Sequence, residues 1–288
     1  MAYTSSYWGR YNSQITTDAL YREWATWVSA ELTARGWAKT ADTGQINTAT
    51  VTKPASTYAE AGYEIRTSPA SAHTTIYLKV WYRSGQAATQ PTISLQVGTG
   101  SDGTGTLTGV VNSDKPSLTV GFAAGVTSPY SMTLGVHGDD DSLWFHYVDP
   151  INPLQSGWTG LERTTNSSGV SVDEGVLTVC MYYSQTTKTQ TLLWGGVATE
   201  ESVASTLRIT QAAIGGNTQL VLPVFSQDGA GVMRQFRDMV FSFASGGMKF
   251  DATVKGSSRT YRVGYFGTGA NVFGYTMPAS CGVAIREA

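Results

Sequence analysis

His137 opens the run HGDDDS, and His146 follows in SLWFHYV. Imidazoles beside carboxylates could ligate zinc or move protons. Three consecutive acids, Asp139 to Asp141, repel one another and point in different directions, so the run reads more simply as a soluble hairpin tip. If the loop has an even number of residues, Val136, Leu143, Phe145 and Tyr147 share one strand face, and His137, Trp144 and His146 share the other. That second face is expected to point outward, as an aromatic patch open to solvent or to a neighbouring molecule. No metal site is assigned.

The stretch LQVGTGSDGTGTLTG, Leu95 to Gly109, holds five glycines and one aspartate. A phosphate cradle needs a lysine followed by Ser or Thr, or a glycine motif that opens a helix, and neither is present. A calcium loop needs several oxygen ligands, and only Asp102 offers a carboxylate. The remaining reading is a strand connection in which Gly98, Gly100, Gly103 and Gly105 supply positive φ and Asp102 turns the chain. A hydrolase would need a nucleophile, a base and an orienting group. The chain has three histidines (His73, His137, His146), no G-x-S-x-G elbow, and 21 acidic residues among which nothing selects a pair. No catalytic residue and no cofactor is assigned, and the chain is read as noncatalytic. Cys180 and Cys281 sit in apolar runs and read as buried free thiols.

These groups must be carried by a chain of 288 residues with 14% charged residues, 11% aromatics and 32 glycines. Typical soluble domains carry about 25% charge, so Thr, Ser, Gln, Asn and aromatics must cover the surface. A net charge of -2 without long single-sign runs gives no footprint for a nucleic-acid backbone. The start, MAYTSSYWGRYNS, has no secretion-signal pattern, and no run reaches the length of a membrane span. Synthesis and folding in a reducing cytoplasm, without membrane insertion, is the expectation.

One segment reads as helix, Thr16 to Trp37. Leu20, Trp24, Trp27, Val28, Glu31 and Leu32 follow a 3.6-residue period, Thr16 or Thr17 can cap the start, and Gly36 after Arg35 can stop it. Beyond residue 60 the period becomes two. Ile76, Leu78, Val80 and Tyr82 alternate with Tyr77, Lys79, Trp81 and Arg83, and Ile93, Leu95 and Val97 repeat the pattern. About a dozen such runs predict a mainly β protein, an antiparallel, jelly-roll-like β-sandwich with one N-terminal amphipathic helix. The organisation expected is an arm and helix over 1–40 and a sandwich region over 41–288, with a division near 149–158 left open. Aromatics exceed what such a core needs, so Tyr3, Tyr7, Trp8, Tyr11, Trp24, Trp27, Trp81 and Trp144 are taken as candidate interface residues.

The order of pieces adds a resemblance. The strand YLKVWYRSG, a polar insert, PTISLQVGTGSDGTGTLTG and the later LERTTNSSG, within residues 60–185, resemble virion structural proteins of tailed bacteriophages. The resemblance implies a β-sandwich component of the tail, collar or baseplate that associates with itself and with other virion proteins, and so a location in the virion. A capsid decoration protein, or a fibre or spike that binds a host surface glycan through Trp81, Trp144 or Tyr147, is the alternative. It carries over no catalytic residue.

Overall fold

The computed structural model describes residues 2–11, 15–71, 73–85, 87–110, 117–119, 131–148, 157–165, 170–182, 185–193, 199–201, 221–227, 233–242, 249–254, 257–266, 271–272, 275–276 and 282–287. The chain begins with a strand, β1 (Thr4–Tyr11), and continues into helix α1 (Asp18–Ala34). Thr17 caps the helix by accepting a hydrogen bond from the Leu20 N–H at 3.3 Å, and Asp18 places its carboxylate in the first turn. Beyond the Arg35 cap, Gly36 takes φ +79° and ends the helix. The apolar stripe is buried: Tyr21, Trp24, Ala25, Val28 and Leu32 are covered, with Leu20 and Trp27 packed at its margin.

Strands β2 (Ala38–Lys39), β3 (Glu60–Thr67), β4 (Tyr77–Ser84) and β5 (Pro91–Gly98) follow, then a small hairpin of β6 (Gly100–Ser101) and β7 (Leu107–Thr108), and β8 (Ser117–Thr119). They form an antiparallel sheet in the order β2-β3-β4-β5-β8 with the hairpin appended. Period two decides its faces. Leu78, Val80, Tyr82, Ile93, Leu95 and Val97 enter the core, while Tyr77, Trp81 and Arg83 stay partly exposed.

The next strands are β9 (Ser131–Gly138), β10 (Ser142–Val148), β11 (Gly157–Thr165), β12 (Ser171–Tyr182), β13 (Gln185–Leu193) and β14 (Thr199–Glu201). With β1 at one edge they make a seven-stranded sheet in the order β1-β9-β10-β11-β12-β13-β14. The N-terminal segment is therefore a sheet strand, running antiparallel to β9 from Thr4 opposite Gly138 to Tyr11 opposite Ser131. Finally β15 (Val221–Gln227), β16 (Met233–Ser242), β17 (Lys249–Val254), β18 (Ser257–Phe266) and β21 (Gly282–Arg286) form a third sheet, ordered β15-β16-β21-β18-β17. Between β18 and β21 lies a two-stranded piece, β19 (Asn271–Val272) with β20 (Tyr275–Thr276).

The fold is mainly β, antiparallel throughout the described pairings, with one α-helix. Its layers are stacked. Strand β8 lies against β10, β11 and β12 on one face of the seven-stranded sheet, and β16 and β18 lie against β11 on the other. Leu134, Val136, Leu143, Phe145, Tyr147 and Leu161 join the core shared with α1 and the first sheet. The first two sheets run largely as meanders between sequence neighbours, and the crossed connections of a jelly roll are not shown. Residues 149–156 of the suggested division lie outside the described residues, whereas Trp158 is a buried residue of β11.

Candidate functional site

The strongest concentration of chemistry-bearing side chains lies where β9, β10 and β11 face the C-terminal sheet. Their expected partition is observed. Leu143 pairs with Gly138 and Trp144 with His137, leaving a four-residue connection that puts His137, Trp144 and His146 on the face opposite Val136 and Phe145. The expectation that this face is open is corrected: His137 is 1% exposed and Trp144 and His146 are fully covered, because the C-terminal sheet lies over them. A half-polar strand face reads as solvent-exposed until a second layer is known to cover it.

The acidic turn also differs from a free hairpin tip. Asp139 receives Arg237 Nη2 at 2.8 and 3.0 Å, and Asp141 receives Arg163 Nε at 3.0 Å and the Ser171 hydroxyl at 2.6 Å. Arg237 also donates to Asp238 at 2.8 Å, and Arg286 reaches the other Asp238 oxygen at 3.4 Å. Glu162 on β11 reaches across the layers. Its carboxyl accepts the backbone N–H groups of Arg237 and Asp238, where β16 bulges away from β15 and the register jumps between Pro223 and Phe225. The bulge strands two amides, and the glutamate satisfies them.

Glu162 and Asp238 have divergent acidities. Burial and then the nearby Asp238 charge push the Glu162 carboxyl up to about 8. Burial acts on Asp238 in the same direction, but Arg237 and Arg286 outweigh it and hold the group below its ordinary value. A neutral acid beside an ionised one is the arrangement used in general acid and base chemistry. Both groups are fully covered, and their oxygens are occupied by β16 amides and arginines, so what the pair does here is fasten β11 to β16.

The histidines occupy the same seam nearer β1. Their ring centroids are 5.9 Å apart, and Tyr7 meets His137 edge-on at 5.4 Å. The Ser5 hydroxyl lies 2.8 Å from His137 Nδ1 and donates to the Glu287 carbonyl, so the two ends of the chain meet over the pair. The His137 ring lies above Gly135. A Cβ there would stand 2.5 Å from Nε2 and 3.0 Å from the Tyr7 ring, so only glycine fits beneath it. Burial, then His146 and the cations Arg35, Arg262 and Lys249, hold His137 well below its ordinary value. Burial and Arg262 push His146 down to about 3. Among the described residues no group of three His, Cys, Asp or Glu is placed to hold a metal ion.

The glycine-rich stretch is a strand connection, as its composition suggests. Asp102 accepts the Thr104 and Thr106 amides at 2.7 and 3.0 Å, and these bonds pull its carboxyl down to about 2. Gly103 and Gly105 take φ +78° and +100°, but Gly98 and Gly100 do not lie in that region. Those two are small for another reason: a Cβ would meet the Thr108 carbonyl or hydroxyl across the hairpin at 2.7 or 2.5 Å. The loop folds over the outer face of β3 and β4. There the Lys79 ammonium lies 3.7 Å from the Tyr63 ring and 3.9 Å from the Trp81 ring and donates to the Gly105 carbonyl.

Of the candidate interface residues, Trp8, Trp24 and Trp144 are at most 7% exposed and present no ring to a neighbour. Trp24 packs edge-on against Tyr82 at 5.6 Å, and Trp144 against Trp158 at 5.8 Å. Tyr3, Tyr7, Trp27 and Trp81 are partly covered, Trp27 lying 6.5 Å from Trp8 and Tyr3 donating its hydroxyl to the Arg286 carbonyl at 2.7 Å. The Tyr11 side chain, Cys281 and the Cys180 side chain lie outside the described residues. Tyr147, offered for glycan stacking, is buried like Trp144. Buried rings fill both interiors: Trp8, Tyr21, Trp24, Trp37 and Tyr82 lie in the core with α1 and the first sheet, and Trp144, Trp158 and Phe236 meet in the seam with the C-terminal sheet.

Sequence reasoning missed Tyr58. It is 63% exposed and holds φ +54°, a conformation costly for a bulky side chain. Its N–H donates to the Gly85 carbonyl at 2.9 Å, and Arg83 reaches its carbonyl at 3.2 Å, so the end of β4 enforces the strained turn. It missed Glu64 and Arg66 as well, whose alternate spacing on β3 signalled a shared face turned toward α1. No helix among the described residues is long and apolar enough to cross a membrane. No family model and no curated protein matches the chain.

Proposed function

We propose that this chain is a noncatalytic structural component of a tailed-phage virion, placed at the tail, collar or baseplate and assembled as a homo-oligomer with other virion proteins. The observation that carries the reading is the use made of reactive side chains. His137, His146, Glu162 and Asp238 are at most 1% exposed: Glu162 bonds across to the β16 amides of Arg237 and Asp238, and the histidines fill the seam between the sheets. Part of a sparse supply of charge, 14% of the residues, is thus spent on internal cohesion. A layered β-sandwich whose ends are pinned together at Ser5 and Glu287 is a rigid brick for such an assembly. Purified full-length protein should form a closed oligomer visible by mass photometry and negative-stain imaging. A monomer that persists at the highest soluble concentration overturns the reading.

A glycan-binding role is the second reading, and Tyr58 favours it. An exposed tyrosine held in a strained turn beside the end of β4 offers a ring for sugar stacking. Binding on a glycan array that Tyr58→Ala abolishes would establish it, and silence across the array removes it.

A further inference from the structure

Leucine would fill the seam beneath the C-terminal sheet as well as imidazole does, without the risk of a buried charge. His137 Nε2, both His146 ring nitrogens and the Tyr7 hydroxyl have no hydrogen-bond partner among the described residues. Charged and titratable groups face the pair from each surrounding element. From β1 come Ser5 and Tyr7, and from the end of α1 comes Arg35, bound to the Val136 carbonyl and paired with Glu31. From β17 and β18 come Lys249 and Arg262, 5.8 and 5.2 Å from the Tyr7 ring centre. Glu287, beyond β21, balances these two cations with contacts of 2.7 Å each.

We propose that His137 and His146 form an acid-released latch between the seven-stranded sheet and the C-terminal sheet. With both rings neutral, Glu287 bridges Lys249 and Arg262 and the seam closes; burial raises the Glu287 carboxyl to about 7, so its charge fades over the same acid range. A proton on either imidazole adds a positive charge beside these cations in a dry space. The described partners offer it no free carboxylate, since Glu287 is already bound by both cations. The layers then part at β17, β18 and the Ser5 to Glu287 junction, admitting water to the imidazolium. This differs from assembly itself: it concerns how one copy opens, and it stands whether or not copies associate.

The sign follows from linkage. Both folded imidazoles take protons less readily than an open chain, where histidine titrates near about 6.5. Their contribution to closure is complete above that value and is lost as pH falls through it toward the folded values. Each histidine raises the open-to-closed ratio by up to about 10-fold per pH unit, and the two together by up to about 100-fold.

Hydrogen exchange read by mass spectrometry on the full chain, from about pH 7.5 to about pH 5 and corrected for intrinsic rates, tests the latch. The amides of β16, β17, β18 and β21 should lose protection steeply while those of β3, β4 and β5 keep theirs. The variant His137→Leu/His146→Leu should lose the slope. Uniform loss across all sheets, or an unchanged slope in the variant, overturns the proposal. Because the variant can fail to fold, imidazole NMR of the unaltered protein gives an independent answer. Both rings should stay neutral until the β17 and β18 amides exchange, and protonation of either ring in the closed state at about pH 6 refutes it.

Discussion

Arg66→Met is the most informative single change, because the guanidinium holds the helix to the first sheet. Arg66 is 1% exposed, and its nitrogens donate to Glu64 at 2.8 and 3.1 Å, to the Ser29 and Thr33 hydroxyls at 2.6 and 2.9 Å, and to the Trp37 carbonyl at 2.8 Å. Methionine keeps most of the volume but leaves the buried Glu64 carboxylate with Lys39 at 3.0 Å, the Tyr82 hydroxyl at 3.0 Å and the Ser29 hydroxyl at 2.9 Å. Removing one partner of a buried pair costs about 3–5 kcal/mol. The three surviving donors place the expected loss at the lower end, near ~3 kcal/mol, a drop of more than about 100-fold in the folded-to-unfolded ratio. Urea unfolding followed by tryptophan fluorescence reads this directly, provided the slope with denaturant is unchanged. The double variant Glu64→Met/Arg66→Met should recover part of the loss, because the Tyr82 hydroxyl it strands still costs roughly 1–3 kcal/mol. There is also an acid limb. Burial works against the Glu64 charge, but Arg66 and Lys39 outweigh it and hold the carboxyl below its ordinary value. The stability it contributes is therefore present above the unfolded value near about 4.3 and lost as pH falls through the folded one. A single-variant loss under about 1 kcal/mol, or a double variant as damaged as the sum of the singles, would show that water screens the pair and that this reasoning is wrong.

Glu162 should behave in the opposite sense. Its folded acidity near about 8 means that the folded chain keeps a proton the unfolded chain releases, so this contribution fades as pH rises from about 4.3 toward 8, and Glu162→Gln should flatten that limb in pH-dependent urea midpoints. Glu162→Ala should instead cost roughly 1–3 kcal/mol for each β16 amide left without an acceptor. Gly105→Ala forces an L side chain to φ +100° with its Cβ 1.8 Å from the Tyr63 hydroxyl, so a loss of about 1–3 kcal/mol and a changed near-ultraviolet signal from Tyr63 and Trp81 are expected. Deleting residues 1–11 bares the β9 edge and the Trp27 ring that Trp8 covers, and should produce concentration-dependent self-association by light scattering.

The glycine-rich stretch and the histidine run show how far local chemistry reaches. Asp102 beside Gly103 indicated a turn because an aspartate bonds to amides two and four residues on, whatever lies elsewhere. Gly98 and Gly100 were misread because their constraint comes from Thr108 across the hairpin, a contact that appears only after the chain has turned back. Likewise the pairing of His137 with Trp144 follows from an even loop, but the burial of that face depends on a sheet whose strands begin some 75 residues later in the chain.

The sequence alone determined a helix between Thr16 and Trp37, observed over Asp18–Ala34, the period-two strands and which side chains share each face, since caps, turns and alternation are properties of neighbours. Tertiary structure decided that β1 closes the edge beside β9, that three sheets stack, that Glu162 and Asp238 fasten β11 to β16, and that His137 and His146 are buried between layers. Burial is a property of what lies on the other side of a surface, and a one-dimensional pattern cannot say how many layers will cover it.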